Sequence, residues 1–162
     1  MPLLKTNTKI FQPLAYKTYL TIINDSVGTK MFRHFYAKLK GRELDIMRNG
    51  ELSCAFYVSS ILTIFKLIKE PHGTVSSTVK DLIESGWQKV KRPRAGSVLV
   101  WAKIDFGPGD AHKHIGFYIG GSKAISNSYK TGTPVIHHWT FGVRDKKPRR
   151  RIEAIFWNKG LK

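Results

Sequence analysis

The chain has 162 residues, 41% of them hydrophobic and 12% aromatic, enough for one self-sufficient core and too few for several domains. Its single cysteine excludes an intramolecular disulfide framework, and no apolar run reaches transmembrane length. Lys and Arg number 28 against 11 Asp and Glu, a formal charge of +17, and a field of that sign favours polyanionic partners.

In chain order, Met1 to Thr8 lack the apolar stretch of a signal peptide. The expectation is a cytoplasmic protein, or one exported by a route that the sequence does not display. Residues 13–24 and 29–40 mix apolar and basic positions at helical spacing, with Asp25-Ser26-Val27-Gly28 as the break between them. They read as a basic helical N-terminal segment, residues 1–44, ahead of a core over 45–162, the two forming one unit.

Asn49-Gly50-Glu51-Leu52-Ser53-Cys54 is a polar turn that gives way to a long apolar pattern. Ser53 is read as the N-cap of a helix running from Cys54 to about Lys69, with Val58, Ile61, Leu62, Phe65 and Ile68 as its buried stripe and Glu70-Pro71-His72-Gly73 as its stop. Cys54 then lies in the first helical turn, where unpaired backbone N–H groups and the helix dipole favour a thiolate. This makes it a candidate nucleophile whose own N–H can receive an oxyanion. The alternative is a small buried hydrophobe. A second helix, over 75–85, takes Thr74 or Ser76 as its cap and ends at Gly86.

From residue 97 onward, runs of alternating apolar residues predict strands over 97–103, 113–119, 123–128, 135–141 and 152–157, joined by short turns into an antiparallel sheet. The loop Asp105-Phe106-Gly107-Pro108-Gly109-Asp110 is placed to form one rim of a cleft. His114 opens the strand behind it and is the candidate general base for Cys54. His112, His114 and Asp110, together with His137-His138, invite a zinc reading. Adjacent strand histidines face opposite ways, so His137 and His138 cannot share one site, and no metal or other cofactor is assigned. One of them, with Trp139, is read as lining a groove or packing on the sheet. The densest basic run, residues 144–151, reads as a solvated loop between two strands. No nucleic-acid motif accompanies it, so nucleic acid ranks below other anionic polymers as a partner.

Three blocks in order, Ser53-Cys54-Ala55-Phe56-Tyr57-Val58, Pro93-Arg94-Ala95-Gly96-Ser97-Val98-Leu99-Val100-Trp101 and His114-Ile115-Gly116-Phe117-Tyr118-Ile119-Gly120, resemble the signature blocks of the NlpC-type cell-wall hydrolases and their CHAP relatives. The resemblance spans roughly residues 45 to 158, with Ser53 and Ser97 where the family commonly has acidic residues. It implies a papain-like α+β fold, in which N-terminal helices and a Cys-bearing helix pack on an antiparallel sheet of about five strands. It also implies a cysteine peptidase or amidase that cuts peptidoglycan peptides through an acyl-enzyme, without a cofactor. The family adds a third polar residue that holds the histidine from the next strand. Ser126 matches the family spacing, whereas Asn127 offers a better acceptor for an imidazole N–H. The two point to opposite faces, so only one can serve, and Asn127 is preferred. Two further readings remain, a noncatalytic polyanion-binding module on the same scaffold and a toxin-like amidase or acyltransferase.

Overall fold

The computed structural model describes residues 11–105 and 111–162. In chain order these form α1 (Ala15–Asp25), β1 (Tyr36–Leu39), β2 (Arg42–Asp45), α2 (Cys54–Ile64), α3 (Val75–Glu84), β3 (Gln88–Lys89), β4 (Val98–Asp105), β5 (Ala111–Gly120), β6 (Lys123–Ser128), β7 (Thr133–His138), β8 (Val143–Arg144), β9 (Lys147–Pro148) and β10 (Ile152–Trp157). The arrangement is α+β. A six-stranded sheet of order β3-β10-β4-β5-β6-β7 has antiparallel neighbours throughout, and β1–β2 and β8–β9 are separate two-stranded ribbons. The sixth strand, beyond the expected five, is the short β3, whose Gln88 and Lys89 pair with Trp157 and Phe156. Among the described residues no helix is long and apolar enough to cross a membrane.

The alternation that marks the strands also sorts their side chains. Val98, Val100, Ile115, Phe117 and Ile125 face the helices and join Tyr19, Ile23, Tyr57, Val58, Ile61, Leu62 and Leu82 in the main core. Leu99, Trp101, Ala124 and Ile155 lie on the other face, covered by Tyr118, Trp139 and Phe141. Trp101 is fully buried and its indole N–H donates to the Trp139 carbonyl at 2.8 Å. The central strands are therefore packed on both faces.

The segment before residue 45 is stitched into this body. The Tyr19 hydroxyl donates to the Gly96 carbonyl at 2.8 Å, the Tyr16 hydroxyl to Ala95 at 2.9 Å, and the Gly28 N–H to Pro134 at 2.9 Å. The helix expected over 29–40 does not form. Instead β1 and β2 make a hairpin closed by Lys40 and Gly41, with φ of +49° and +78°, the signs of a tight two-residue turn. Asp45 anchors the base of that hairpin by accepting the N–H groups of Phe35, Met47 and Asn49.

Helix α2 ends at Ile64, five residues short of the expected Lys69. Lys66 takes φ +55°, and the N–H groups of Lys66 and Leu67 return to the carbonyls of Thr63 and Leu62, which is a Schellman closure built on a non-glycine residue. Helix α3 matches expectation at both ends, with the Thr74 hydroxyl accepting the Ser77 N–H and Gly86 at φ +88°. The basic run is also more ordered than a loop. Asp145 and Lys146, both with positive φ, close the β8–β9 hairpin, and Arg150 turns inward.

Candidate active site

The site is assembled from the turn before α2, the first half of β5, the strand β6 and the chain entering β10. Arg48, Asn49 and Gly50 all take positive φ, which reverses the chain and starts α2 at Cys54. This turn is clamped from the far end of the sheet. A Cβ on Gly50 would lie 2.6 Å from the Gly132 carbonyl oxygen, and one on Gly132 would lie 2.8 Å from the Asn49 carbonyl oxygen. The Arg33 guanidinium donates to the Thr131 carbonyl at 2.9 Å beside them.

Asn127, the preferred partner of His114, belongs to this clamp. Its Nδ2 donates to the Gly50 carbonyl at 2.7 Å, which places its side chain on the helix side of β6, away from the imidazole. Ser53 does not cap α2 with its side chain. Its φ and ψ of −83° and 6° lie outside the extended cap geometry, and its buried hydroxyl has no hydrogen-bond partner.

Cys54 is half-buried. Burial raises its thiol pKa above the ordinary value, and the opposing influences, the N–H groups of Ile115 and Ala55, the Arg150 charge and its own N–H, do not outweigh it. The expectation that the helix start favours a thiolate is thus corrected. The helix terminus does lower the pKa, but desolvation of the charged form is the larger effect.

His114 lies on the β5 face that carries Trp101, with ring centroids 5.4 Å apart. Its Nε2 is 2.8 Å from Ser126 Oγ. Ser126, and not Asn127, is therefore the β6 residue that contacts His114. Ser126 Oγ lies a further 2.7 Å from His137 Nε2, and His137 Nδ1 lies 2.7 Å from the His138 carbonyl oxygen. The His137 ring stacks on Phe141 at 4.0 Å and 14°. Burial, with the charges of Arg150 and His137 adding to it, pushes the His114 pKa down to about 3, so the imidazole is neutral at neutral pH.

Arg150 is a functional candidate that the sequence alone does not reveal, since a dense basic run reads as wholly solvated. Its Nε and Nη2 donate to the carbonyls of Ala102 and His112, each at 3.2 Å, across the register break where β4 and β5 separate. The guanidinium lies over Phe141 at 5.6 Å. Among the described residues no carboxylate pairs with it. This buried cation disfavours protonated His114 and favours ionised Cys54.

No hydrogen bond joins Cys54 to His114. They are linked by the Ile115 N–H, which is directed at the thiol from the residue next to His114, and by the Arg150 charge, which acts on both. The resting pair is a neutral thiol and a neutral imidazole, suited to proton transfer during attack and not to a preformed ion pair. The alkylation rate of Cys54 by iodoacetamide is therefore expected to keep rising with pH through the ordinary thiol range. A plateau reached below neutral pH would show that an ion pair exists and that Arg150 and burial do not set the resting state.

The remaining candidates fall elsewhere. Of the expected cleft rim, residues 105–110, Asp105 ends β4 and residues 106–110 lie outside the described residues, Asp110 of the zinc reading among them. Among the described residues no cluster of three His, Cys, Asp or Glu side chains is placed to hold a metal. A groove of about 490 Å³ is lined by His138, Trp139, Lys146 and Arg151 among others, and one of about 450 Å³ by Arg92, Arg94, Trp157 and Lys159 among others. Neither includes Cys54 or His114. No family model matches this chain, and no curated protein matches it.

Proposed function

We propose that the protein is a papain-like cysteine hydrolase that cleaves an amide or peptide bond through an acyl-enzyme on Cys54, with peptidoglycan stem or cross-link peptide as the substrate. The observation that carries this reading is the fixed imidazole. His114 is bound through Nε2 to Ser126 at 2.8 Å, which leaves Nδ1 for the thiol of a cysteine at a helix start. The three sequence blocks resembling NlpC-type hydrolases supply the substrate class. The charge of +17 suits a wall that carries anionic polymer.

In the proposed reaction Cys54 Sγ attacks the carbonyl carbon while its proton passes to His114 Nδ1. The C–S bond forms, and the carbonyl electron pair moves to oxygen, where the Cys54 N–H and the field of Arg150 stabilise it. Collapse breaks the C–N bond, and His114 returns the proton to the departing amine. A water then attacks the thioester with His114 again as base, releasing the carboxylic acid and restoring the thiol. Transfer to an amine in place of water would give the acyltransferase variant of the same chemistry.

The test is incubation with purified peptidoglycan and mass analysis of the soluble products, with Cys54→Ala as the control. Fragments that each mark one hydrolysed amide, absent with the variant, are the expected result. Equal release by the variant would remove Cys54 from the chemistry. Salt-sensitive binding with no product from either protein would favour the polyanion-binding module, a reading supported by the exposed cations Arg144, Lys146, Lys147, Arg149 and Arg151.

A further inference from the structure

We propose that His137 is a positioning residue that fixes which nitrogen of His114 carries the proton, acting through the Ser126 hydroxyl. The argument follows a chain of three short hydrogen bonds whose direction is set at one end. The His138 carbonyl oxygen can only accept, so the 2.7 Å contact requires the proton of His137 to sit on Nδ1. His137 is neutral at neutral pH, because burial and the charges of His138 and Arg150 outweigh the opposing effect of that carbonyl. Its Nε2 therefore presents a lone pair, and the Ser126 hydroxyl 2.7 Å away donates to it. Having given its only hydrogen to His137, Ser126 can only accept from His114, so at 2.8 Å the His114 proton lies on Nε2. His114 Nδ1 is left bare, the state in which an imidazole takes a proton from a thiol.

With His137 neutral the chain cannot run the other way, because its one N–H is committed to a carbonyl that can only accept. The geometry is held by packing as well. His137 is stacked on Phe141 and lies 5.6 Å from the Trp101 ring centroid. The β6–β7 pairing sets Ala124 opposite His137 and Val135 opposite Ser126, so the two side chains meet on the diagonal of one sheet face. The assignment of the proton depends on these contacts and on the neutral state of His137; its consequence for turnover rests on the hydrolase reading above.

The experiment is long-range proton–nitrogen correlation NMR on protein labelled with ¹⁵N-histidine at neutral pH, which distinguishes the two neutral imidazole tautomers directly. The parent is expected to show His114 as the Nε2–H form and His137 as the Nδ1–H form. His137→Phe keeps a ring against Phe141 but removes the acceptor. Ser126 is then free to donate to His114, whose proton should move to Nδ1 in a large fraction of molecules. His137→Gln returns an acceptor oxygen and should restore the Nε2–H form. With a peptide substrate, kcat of the Phe variant should fall on the order of 10²-fold or more with KM nearly unchanged, and the Gln variant should recover much of it. A parent in which His114 is Nδ1–H, or a Phe variant in which it stays wholly Nε2–H, would overturn the proposal. The parent spectrum alone decides if the Phe variant fails to fold. The expected tautomers in a protein that hydrolyses nothing would uphold the relay and count against the hydrolase reading.

Discussion

Replacing His114 by phenylalanine is expected to lower turnover by about 10²- to 10⁴-fold, the range for loss of a general base, and at the same time to make the fold less sensitive to acid. The second effect follows from the buried neutral imidazole. In the unfolded chain a histidine titrates near 6.5, whereas burial and the nearby Arg150 and His137 charges hold folded His114 at about 3. Between those values the unfolded state binds a proton that the native state refuses. The stability from keeping His114 neutral is thus present above about pH 6.5 and is lost as pH falls toward 3, with a slope of at most about 1.4 kcal/mol per pH unit. Urea unfolding at pH 7, 5.5 and 4 measures it. The parent should lose more stability than His114→Phe over this interval, while His137, also shifted down, leaves the variant some residual slope. The carboxylate of Asp45, held at about 2 by its hydrogen bonds against the opposing effect of burial, begins to cost stability near pH 4 as the unfolded chain takes up its proton, but it does so in both proteins and cancels in the comparison. Equal slopes for the two proteins would mean that His114 is not a buried neutral group.

Gly116→Ala is expected to be strongly disruptive to the contact between His114 and Ser126. Gly116 stands on β5 on the face shared by His114 and Tyr118, and a Cβ there would lie 2.6 Å from the Ile125 carbonyl oxygen and 2.7 Å from Ser126 Cβ. Both belong to β6 and are tied to the neighbouring strands, so no side-chain rotation relieves the overlap. The fully buried Trp101 ring, 3.0 Å away on another side, closes the remaining direction. Strand β6 must move off β5 and carry Ser126 from His114. Overpacking of this kind costs roughly 1–3 kcal/mol, and here it should also lower turnover in molecules that remain folded. Gly73→Ala is the control, since its new methyl would meet only Ile46 and Met47 side-chain ends at 3.4 and 3.5 Å. If the two variants had the same melting temperature and activity, the close approach of β5 and β6 at Gly116 would be refuted.

The strands and the two helices after residue 53 are legible in the sequence because their apolar spacing coincides with the burial it predicts. Residues 29–40 are not. Phe32, Phe35, Tyr36 and Leu39 recur at helical spacing, yet the decisive features are the Lys40-Gly41 turn and the Asp45 carboxylate that collects three backbone N–H groups. The end of α2 is hidden because Lys66 takes the left-handed conformation that usually advertises itself as glycine. In the site, Cys54 and His114 stand out by their chemistry and position. The choice between Ser126 and Asn127 turns on which face of β6 meets the turn at Gly50, a tertiary fact that strand parity alone does not supply. Arg150 cannot be told from Arg149 and Arg151 by composition. Only the break in β4–β5 pairing gives one of the three a pair of carbonyls to bind.

The clamp on the turn before Cys54 has a consequence for biosynthesis. Its bonds run from Gly50 to Asn127, 77 residues apart, and from Arg33 to Thr131, 98 residues apart. A chain emerging from the ribosome exposes its cysteine long before the groups that orient it exist, and such distant closures form late because their loop entropy must be overcome first. Until β6 and β7 are made, and Arg150 after them, the nascent polypeptide carries an ordinary thiol without a placed base or a neighbouring cation. If the protein is the hydrolase proposed above, a chain broken off before residue 127 is expected to be inert toward amides, with reactivity acquired only on completion of the sheet.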